Sequence, residues 1–568
     1  MSECFFGTNK RGGYFFGSVS DFSAYQGWTI FFEDPWELFK VVDRVQGDFD
    51  FVVGEKTLLL ESSSCQDVVI DLDFRWIHDF SDEGRIYEVY EKEDFLVVKY
   101  SKFRDNSLKE KLFSKFLVIR GLVSFDLLKS WVHKDYSFDA ERGALSSLYV
   151  FRLLSGKASR LSFGFGSTEE DAVVSSLVKP VREVEENFSF PRAGQSKLFD
   201  EEKLAISKVD NAFSSCVKLN KNREPMIFAG FPWFYQVWAR DECISLVGLF
   251  VQKKFEVAKK IIIRNLSRIS DEGFLPNRFP ESILGSADAT GWLFQRIRLL
   301  LDLDKDFFSS NELSLVEKKL DLFLDFCKKN SFKGMVYNGP KETWMDTVDA
   351  SGVDTRGGAR VEIQALYLSA LDLKLSLVKR RGENTSSHRH KLKKKKSLVR
   401  AQLIKNKILH DGLVDGVLDE TIRPNVFLAF YAYPALAMKH QWLNTFEHVL
   451  SGCWLEWGGL SSISKDNHLF RPFHSGMSNE SYHRGDSWFF VNNIAASVLY
   501  RFDKKQFKDY VHKIKSASVY ELLNSGFINY CAEVSSANKL ESKGCLSQAW
   551  SCATLLELLV ETRQNPDK

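Results

Sequence analysis

Five short segments of the chain place tryptophans close to carboxylates, a combination that suits a carbohydrate-binding pocket. The segments cover residues 231–242, 285–294, 341–346, 481–490 and 531–551. An indole ring stacks on the apolar face of a pyranose, while carboxylates bind its hydroxyls. Two carboxyl groups on either side of a glycosidic bond can also hydrolyse that bond. The segments therefore predict a glycan site that is assembled from many loops and has acid–base chemistry available.

The composition indicates a folded protein of more than one domain, with a net charge too small to produce a strong electrostatic field. The chain has 568 residues, of which 44% are hydrophobic and 27% are charged, and this length exceeds one ordinary core. Its 77 basic residues nearly balance 75 acidic ones, which leaves a net charge of +2. No overall field would recruit nucleic acid or an anionic membrane, so neither is expected as a partner.

Cysteine usage and the N-terminal sequence favour a cytoplasmic protein. The nine cysteines are dispersed and lack CxxC spacing, which is typical of free thiols in a reducing compartment. The first residues lack the basic start and the long apolar run of a signal peptide. Sequence motifs for zinc, for nucleotide phosphates and for dinucleotides are also absent, so no metal or cofactor is expected.

The hydrophobic period of the chain changes near residue 195. Before this point, short apolar runs separated by Gly, Asp and Ser turns predict a β-sandwich domain over 1–195. The clearest runs are 29–32, 51–53, 95–100, 115–120 and a pair of strands at 148–154 and 159–166. The segment 189–196, rich in Pro, Gly and Ser, marks the boundary.

Beyond the boundary, apolar residues recur at helical spacing over 196–568. We expect long helices at 244–269, 313–330, 361–380 and 549–563. They alternate with the loops that carry the tryptophans and carboxylates, which predicts a toroid of paired helices with its site at one end. The basic segment 379–400 has no interleaved aromatics, so we interpret it as a solvated loop rather than a contact for nucleic acid or phosphorylated glycan.

Taken in order, the motifs resemble the amylo-α-1,6-glucosidase domain of glycogen debranching enzymes in the prokaryotic two-domain form. GTNKRGGYFFGSV (7–19) is similar to the opening of that family's N-terminal domain. Family-like segments follow along the chain: FAGFPWFYQVWARDE (228–242), GSADATGWLF (285–294), KETWMD (341–346), TRGGARVEIQALYLSAL (355–371), IRPNVFLAF (422–430) and GCLSQAWS (544–551).

The resemblance implies an (α/α)6 barrel of six helical hairpins after the β-sandwich. It also implies inverting hydrolysis of an α-1,6-linked glucose on glycogen or a related branched α-glucan, by an acid and a base. By its position in the motif, Asp346 takes the acid role. Trp344 and Met345 would then raise its pKa by making its surroundings apolar. A helix cap or an ion-pair partner is the structural alternative for Asp346.

The base of the family lies shortly upstream of the Gln-Ala-Trp-Ser motif, where this chain offers Glu533 and Glu541. Glu533 is favoured because it follows the strand-like segment 527–530. Glu541 lies in an irregular polar stretch. A structural role for both glutamates stays open.

The resemblance also assigns a set of sugar-binding residues: Trp233, Trp238, Arg240, Asp241, Asp288, Trp292, Trp344, Glu362, Arg423, Asn425, His483, Trp488, Gln548 and Trp550. Simpler roles stay open for several of them. A carboxylate at the start of a helix, such as Asp241 or Glu362, also serves as a cap or as a partner of the helix dipole.

The segment SAYQGW (23–28) departs from the family pattern in the first part of the chain. Four residues depart from it further on: Ala239, Glu242, Arg484 and Asp486. Three of them are charged, so we expect added charge near the mouth of the pocket and an altered glycan preference. Two other functions stay open. One is another inverting glycosidase of the glucoamylase or trehalase kind on the same barrel, and the other is a glycan-binding protein without hydrolytic activity.

Overall fold

The computed structural model describes residues 5–8, 13–17, 26–32, 50–53, 57–75, 79, 81–135, 143, 145, 147–177, 197–219, 223–231, 234, 236–279, 285–348, 356–527 and 529–564. None of the helices described there combines the length and the apolar character that a bilayer span needs. The chain divides into two compact units. The first comprises residues 1–205, 231–235 and 522–530, and the second comprises 206–230, 236–521 and 531–568.

The first unit is built around an antiparallel β-sheet. Its strands are β1 (Phe5–Thr8), β2 (Gly13–Gly17), β3 (Gln26–Phe32), β4 (Asp50–Val53), β5 (Thr57–Leu72), β6 (Arg85–Lys92), β7 (Phe95–Phe103), β8 (Lys111–Arg120), β9 (Ser124–Asp135) and β10 (Ser147–Gly166). The strand order is β1-β2-β3-β5-β10-β8-β7-β6, and β4 and β9 pair with β5 and β10. The predicted runs at 29–32, 51–53, 95–100 and 115–120 all lie in these strands.

Strand β7 shows how the sheet forms its core. Leu96 and Val98, two residues apart, face the main apolar cluster of the sheet. Val97 lies between them and faces the other side, because successive side chains of a strand alternate. There it packs with Ala172 of helix α1 (Glu169–Leu177). A nearly continuous apolar run in β7 is therefore required, since both faces of this strand are covered.

Strand β10 corrects the expectation of two strands at 148–154 and 159–166. Both segments belong to one strand of 20 residues, which stays antiparallel to β5 with two register shifts. The sequence between the two segments contains a glycine, which favoured a turn. The residues between the two segments form an irregularity within the strand instead, because both halves of β10 pair with β5.

The second unit consists mainly of helices. In the described part of the chain they are α2 (Lys197–Cys216), which begins in the first unit, α3 (Ala239–Val251), α4 (Phe255–Arg268), α5 (Ala289–Leu303), α6 (Ser310–Lys329), α7 (Val361–Arg380), α8 (Ser386–Leu403), α9 (Asn425–Ala432), α10 (Lys439–Cys453), α11 (Phe489–Asp503), α12 (Lys508–Asn524) and α13 (Ala549–Gln564). The odd-numbered helices from α3 onward contact one another in sequence, and α13 returns to α3. They close an inner ring, and the even-numbered helices lie in the chain between them.

Inner and outer helices differ in sequence because they differ in their neighbours. The inner helix α7 is buried without interruption from Val361 to Leu371, since it has neighbours on every side. The outer helix α4 buries only one stripe, which includes Ala258, Ile261 and Ile262. This difference is typical of a core helix and of an amphipathic helix that covers it.

Two helix predictions need correction, whereas 313–330, 361–380 and 549–563 are confirmed as helices. The segment 244–269 forms two helices, α3 and α4, separated by a turn in which Lys253 has a φ of 56°. The basic segment 379–400, expected to be a loop, contains most of α8. Leu392, Val399 and Leu403 recur at helical spacing within or just beyond it and are buried, which stabilises this helix despite its charge.

Gly291 offers a test of the inner ring. A Cβ at this position would lie 2.8 Å from the Cβ of Leu366, between α5 and α7. In an open helix, Gly→Ala stabilises by about 1 kcal/mol. Here overpacking should cost about 1–3 kcal/mol, so we expect Gly291→Ala to lower the midpoint of urea unfolding. Ser314→Ala, at an exposed position of α6, controls for the effect of alanine on helix propensity alone. An unchanged or higher midpoint for Gly291→Ala would contradict the close packing.

Candidate active site

Many of the predicted site residues lie at or next to the N-terminal ends of the inner helices, including Arg240, Asp241, Glu362, Asn425 and Trp488. Four of these helices begin directly after a two-residue strand, at Val237–Trp238, Ala359–Arg360, Ser487–Trp488 and Ser547–Gln548. Contacts join neighbouring ends across the ring, such as the 3.1 Å hydrogen bond that Gln548 Nε2 donates to Asp241 Oδ1. Helix N-termini present free backbone N–H groups and the positive end of the helix dipole. They therefore favour the acidic residues found here.

Asp346 lies beside Arg240, whose buried guanidinium holds two carboxylates. Arg240 Nη1 donates to Asp346 Oδ2 at 2.9 Å, and Nε donates to both oxygens of Asp288 at 2.7 and 2.8 Å. Asp288 also accepts from Ser286 Oγ at 2.9 Å and is completely buried. The side chain of Asp346, in contrast, is 30% exposed. Of the two carboxylates, Asp346 is the one that a ligand can reach, whereas Asp288 orients Arg240.

The pKa of Asp346 is lowered, contrary to the expectation of a raised value. Burial acts to raise the pKa of this carboxyl, but the facing imidazole of His483 and the guanidinium of Arg240 together outweigh it. His483 Nε2 lies 3.7 Å from Asp346 Oδ1. Trp344 and Met345 are buried beside Asp346, as expected. The hydrogen-bonding and charged neighbours of a carboxyl can together outweigh the effect of burial on its pKa.

Glu533 is connected to Asp346 through two consecutive residues, Tyr482 and His483. Tyr482 Oη donates to Glu533 Oε1 at 2.6 Å, while His483 faces Asp346. The backbone N–H of Cys545 donates to Glu533 Oε2 at 3.0 Å, so both oxygens of Glu533 are held. One dipeptide therefore helps to position both carboxyl groups.

The backbone around Glu533 differs from the expectation of a preceding strand. Phe527, Asn529 and Tyr530 lie in bends and turns. Glu533 instead comes directly before the two-residue strand Val534–Ser535, which pairs with Ser487–Trp488. This pairing brings Glu533 to the start of α11 and thus to the ring of helix ends.

Burial raises the pKa of Glu533 to about 7, although Tyr482 and the N–H of Cys545 act to lower it. The environment of Glu541 is different. Glu541 Oε2 forms an ion pair with Lys539 at 3.0 Å and lies 3.8 Å from Lys543. A carboxyl with a strongly shifted pKa in a polar site is a candidate for acid–base chemistry, so the geometry supports Glu533 over Glu541.

A further buried glutamate, which the sequence analysis did not single out, anchors the loop of Glu533. Glu521 Oε1 accepts from the N–H of Ala532 at 3.1 Å and from Ser542 Oγ at 2.6 Å. These two donors flank Glu533 in the chain. Burial raises the pKa of Glu521 to about 8, so this residue is mainly a neutral carboxylic acid near pH 7. No sequence motif marks Glu521, because its hydrogen-bond partners, Ala532 and Ser542, lie in a loop that packs back against α12.

Asp241 is the third carboxyl of the site, at the start of α3. Burial raises the pKa of Asp241 well above its ordinary value. Arg240 opposes this shift, and the charges of Asp346 and Glu533 add to it. A protonated Asp241 would be able to donate a hydrogen bond to a sugar hydroxyl. Among the described residues, no group of three or more His, Cys, Asp or Glu side chains is arranged to hold a metal ion.

The aromatic residues of the site form a packed cluster centred on Trp344. Its ring makes edge-on contacts with His483 at 5.4 Å and with Trp488 at 5.3 Å between centroids. Trp488 in turn contacts Trp550 at 5.8 Å. All four side chains are buried, so this cluster makes the carboxylate-bearing loops rigid and leaves little open ring surface.

The predicted tryptophans outside this cluster are placed differently from one another. Trp238 is only partly buried, and the guanidinium of Arg278 lies 5.8 Å from its ring. It is the described tryptophan that best suits sugar stacking. Trp292 is 1% exposed and packs on Tyr431 inside the ring of helices, which is a core environment. Trp233 lies outside the described residues.

Glu362 belongs to a buried ion network whose centre is Asp411. Arg356 donates to both carboxylates, to Glu362 Oε2 at 2.8 Å and to Asp411 at 3.0 Å. Arg360 Nη1 and Asn425 Nδ2 also donate to Asp411, each at 3.1 Å. Although burial alone would raise it, the pKa of Asp411 is lowered to about 2 by the surrounding arginines. The sequence analysis missed Asp411, since no motif surrounds it.

Arg423 and Asn425 hold backbone and aromatic groups in place. Arg423 Nη1 donates to the carbonyl oxygens of Ser462 and His483, each at 3.2 Å. Asn425 Oδ1 accepts from Trp344 Nε1 at 2.7 Å. Burial lowers the pKa of Arg423 to about 10, but the side chain stays charged at neutral pH. These contacts position the neighbours of Asp346.

The charged departures from the family pattern do not line an exposed mouth, so that expectation is wrong. All four positions are buried: Ala239, Glu242, Arg484 and Asp486. Glu242 pairs with Arg264 of the outer helix α4 and accepts from Asn265 at 2.8 Å. Asp486 Oδ2 accepts from His474 Nδ1 at 2.6 Å. Buried charges require partners, and both of these carboxylates are paired with side chains inside the protein.

Comparisons with known proteins extend this description. A family model described as amylo-alpha-1,6-glucosidase matches residues 210–557. A bacterial glucoamylase complexed with acarbose covers 99% of this chain and 86% of its own, with 10% identity and a TM-score of 0.58. A GH63 mannosylglycerate hydrolase from Thermus thermophilus in complex with Tris covers 63% of this chain and 100% of its own, with 14% identity and a TM-score of 0.48. Comparison with the curated proteins gives no match.

The similarity to the glucoamylase extends over nearly the whole chain and is one of fold. It confirms the predicted fold class, an N-terminal β-sandwich domain followed by an (α/α)6 barrel.

Glu533 should reduce stability increasingly as the pH rises from 4.5 to about 7, and most above that range, because burial raises its pKa from 4.5 to about 7. Below the unfolded pKa the carboxyl is protonated in both states. As the pH rises through the folded pKa, folding must bury a charge. We expect Glu533→Gln to raise the free energy of unfolding at pH 8 by up to about 3 kcal/mol and to have little effect at pH 4. Urea unfolding at both pH values measures this, with Glu541→Gln as control. Equal effects of Glu533→Gln at the two pH values would contradict the raised pKa.

Proposed function

Because this chain belongs to the amylo-alpha-1,6-glucosidase family of glycoside hydrolases, we propose that it releases α-1,6-linked glucose at branch points of glycogen or a related α-glucan. The observation that carries this proposal is the pair of carboxyl groups at the candidate site, Asp346 and Glu533. Asp346 accepts a hydrogen bond from Arg240, and Glu533 accepts one from Tyr482. Their pKa values are shifted in opposite directions. Such a separation is typical of an acid–base pair.

In the proposed mechanism, Asp346 protonates the glycosidic oxygen and Glu533 removes a proton from water. The water attacks the anomeric carbon from the opposite face of the sugar, which inverts the anomeric configuration. Tyr482 and the N–H of Cys545 stabilise the charged form of Glu533 and orient its oxygens. Arg240 positions Asp346 through a hydrogen bond, and His483 lies beside it. Arg240 and Asp288, predicted to bind sugar, are here proposed to position the acid.

The pKa of Asp346 is lowered and that of Glu533 is raised, which is the reverse of the order that these roles need. Burial has the largest effect on the pKa of Glu533, and the charge of Asp346 adds to it. A bound glycan would cover the exposed 30% of the Asp346 side chain. Loss of water there acts in the direction in which burial already acts, towards protonation of Asp346. A protonated Asp346 carries no negative charge, so it no longer raises the pKa of Glu533, and the charged form of Glu533 becomes more favourable.

Several buried polar atoms at the site have no hydrogen-bond partner among the described residues and are proposed as sugar contacts. They are both ring nitrogens of His483, Oε1 of Gln548 and Nε1 of Trp550. Burying a polar group without a partner costs about 1–3 kcal/mol, and sugar hydroxyls would relieve this cost. Asp241, protonated and held by Gln548, would add a donor. Trp238 would supply a stacking face.

The unit that carries this chemistry is proposed to be the predicted domain 196–568, and the location is proposed to be cytoplasmic. The described part of the chain contains eight free cysteines, seven of which are buried. Free thiols on this scale support a reducing compartment.

A dextrin whose branches have been trimmed to single α-1,6-linked glucose stubs tests the proposed activity, because it presents the bond that the proposal names. We expect the protein to release glucose from it, with the β-anomer appearing first by NMR. Maltose and trehalose, offered in parallel, should be poor substrates. Binding of the dextrin without glucose release would support a non-hydrolytic glycan-binding protein, and preferential cleavage of maltose would support a glucoamylase.

Asp346→Asn and Glu533→Gln should each lower the rate of stub hydrolysis by about 100- to 10,000-fold, the usual contribution of a general acid or base. Glu541→Gln is the matched control and should retain the wild-type rate. Wild-type rates in both Asp346→Asn and Glu533→Gln would show that these carboxyls do not carry the reaction.

α-Glucosyl fluoride separates the two roles, because fluoride leaves without protonation by an acid. We expect Asp346→Asn to hydrolyse it at close to the wild-type rate, whereas Glu533→Gln loses activity on both the fluoride and the dextrin. The opposite pattern would make Glu533 the acid and Asp346 the base, which is the assignment that agrees with the order of their pKa values.

A further inference from the structure

Helix α8 carries a dense set of positive charges that the candidate active site does not use. From residue 384 to residue 410 the chain contains nine lysines and arginines and no aspartate or glutamate. The net charge of the whole chain is only +2, so this field is local. Leu392, Val399 and Leu403 are buried and fix one side of α8 against the barrel. The cations must therefore occupy the remaining circumference of the helix.

Most of these cations have no acidic partner. Lys391, Lys393, Lys394 and Lys396 lie more than 4.0 Å from every carboxylate in the part of the chain that the structure describes. Like charges three or four positions apart destabilise a helix, and this group contains two such pairs, 391/394 and 393/396. The repulsion is therefore left uncompensated within the protein, which favours an external anion as the partner.

Two exposed apolar side chains lie on hairpins beside α8. Lys395 Nζ donates to the carbonyl of Gly334 at 3.0 Å, in the hairpin 331–336. Phe332 of this hairpin is 53% exposed. The hairpin 412–419 lies next to the hairpin 331–336. A Cβ at Gly416 would lie 3.8 Å from Lys333 Nζ. That hairpin exposes 70% of Val417.

We propose that the α8 surface, formed by α8 with the hairpins 331–336 and 412–419, docks the protein on an anionic lipid bilayer. The lysines would meet the phosphates of the headgroups. Phe332 and Val417 would enter the interface, where exposed apolar side chains beside cations are typical of peripheral membrane proteins. The buried stripe of α8 belongs to the barrel, so the helix itself would lie at headgroup level. Duplex nucleic acid would use the same lysines but would gain nothing from Val417.

Vesicle flotation tests this proposal and needs no catalytic activity, so its outcome is independent of the proposed function. We expect the full chain to float with vesicles of phosphatidylglycerol and phosphatidylcholine, and not with phosphatidylcholine alone. Added salt should weaken the association, because it screens surface charge. A wild-type protein that stays at the bottom with the anionic vesicles would overturn the proposal.

A fourfold variant removes the unpaired cations: Lys391→Gln, Lys393→Gln, Lys394→Gln and Lys396→Gln. Its control removes the same charge from exposed lysines elsewhere in the second unit: Lys253→Gln, Lys260→Gln, Lys318→Gln and Lys508→Gln. We expect the α8 variant to lower vesicle binding by about tenfold or more, and the control to bind like wild type. Equal loss in both variants would show that only net charge matters and would overturn the α8 surface as the site.

The double variant Phe332→Ser and Val417→Ser separates a bilayer from nucleic acid. It keeps every lysine, and both positions are exposed, so circular dichroism should show an unchanged fold. Weaker vesicle binding by this variant supports docking on a bilayer. Unchanged vesicle binding, together with duplex DNA binding that is lost in the fourfold α8 variant, would replace the bilayer with nucleic acid.

Discussion

The pairing of buried charge at the N-terminal ends of the inner helices is the constraint on which the site depends. A buried arginine without carboxylate partners is strongly unfavourable, because the cost of removing its charge from water is not repaid. Arg240 meets this condition by binding Asp288 and Asp346 together. Arg356 meets it by binding Glu362 and Asp411. These pairs connect loops that are far apart in the chain and hold them in one arrangement.

The same pairing divides the carboxyls of the site into two kinds. Asp346 faces a guanidinium, and its pKa falls. Glu533 is buried with neutral donors, and its pKa rises to about 7. The difference comes from the neighbours and not from the type of acid, because both are ordinary carboxylates when exposed. Such a site carries a cost in stability, since burying the charge on Glu533 opposes folding above neutral pH.

Particular residues show how far the site could be predicted from sequence. Asp346 and Glu533 were selected by their positions in motifs, and the structure places them near one another. Asp288 was selected in the same way, but its carboxylate is occupied by Arg240. Asp411 and Glu521 escaped prediction, because their partners lie in other segments of the chain. A motif identifies a residue, but it does not show which other segment reaches that residue.

The sequence by itself determined the local features of this protein: the nearly continuous apolar run of β7 and the helical spacing of α7. The buried stripe of α8 also has helical spacing, although the basic charge of its segment led us to expect a loop. These depend on neighbours a few positions away, so their signal is present in the order of residues. Only the tertiary structure decided which carboxyl is exposed, which is ion-paired and which is kept neutral. The electrostatic environment of Asp346 and Glu533 is set by Arg240, Tyr482 and His483. These residues meet only after the ring of helices has closed.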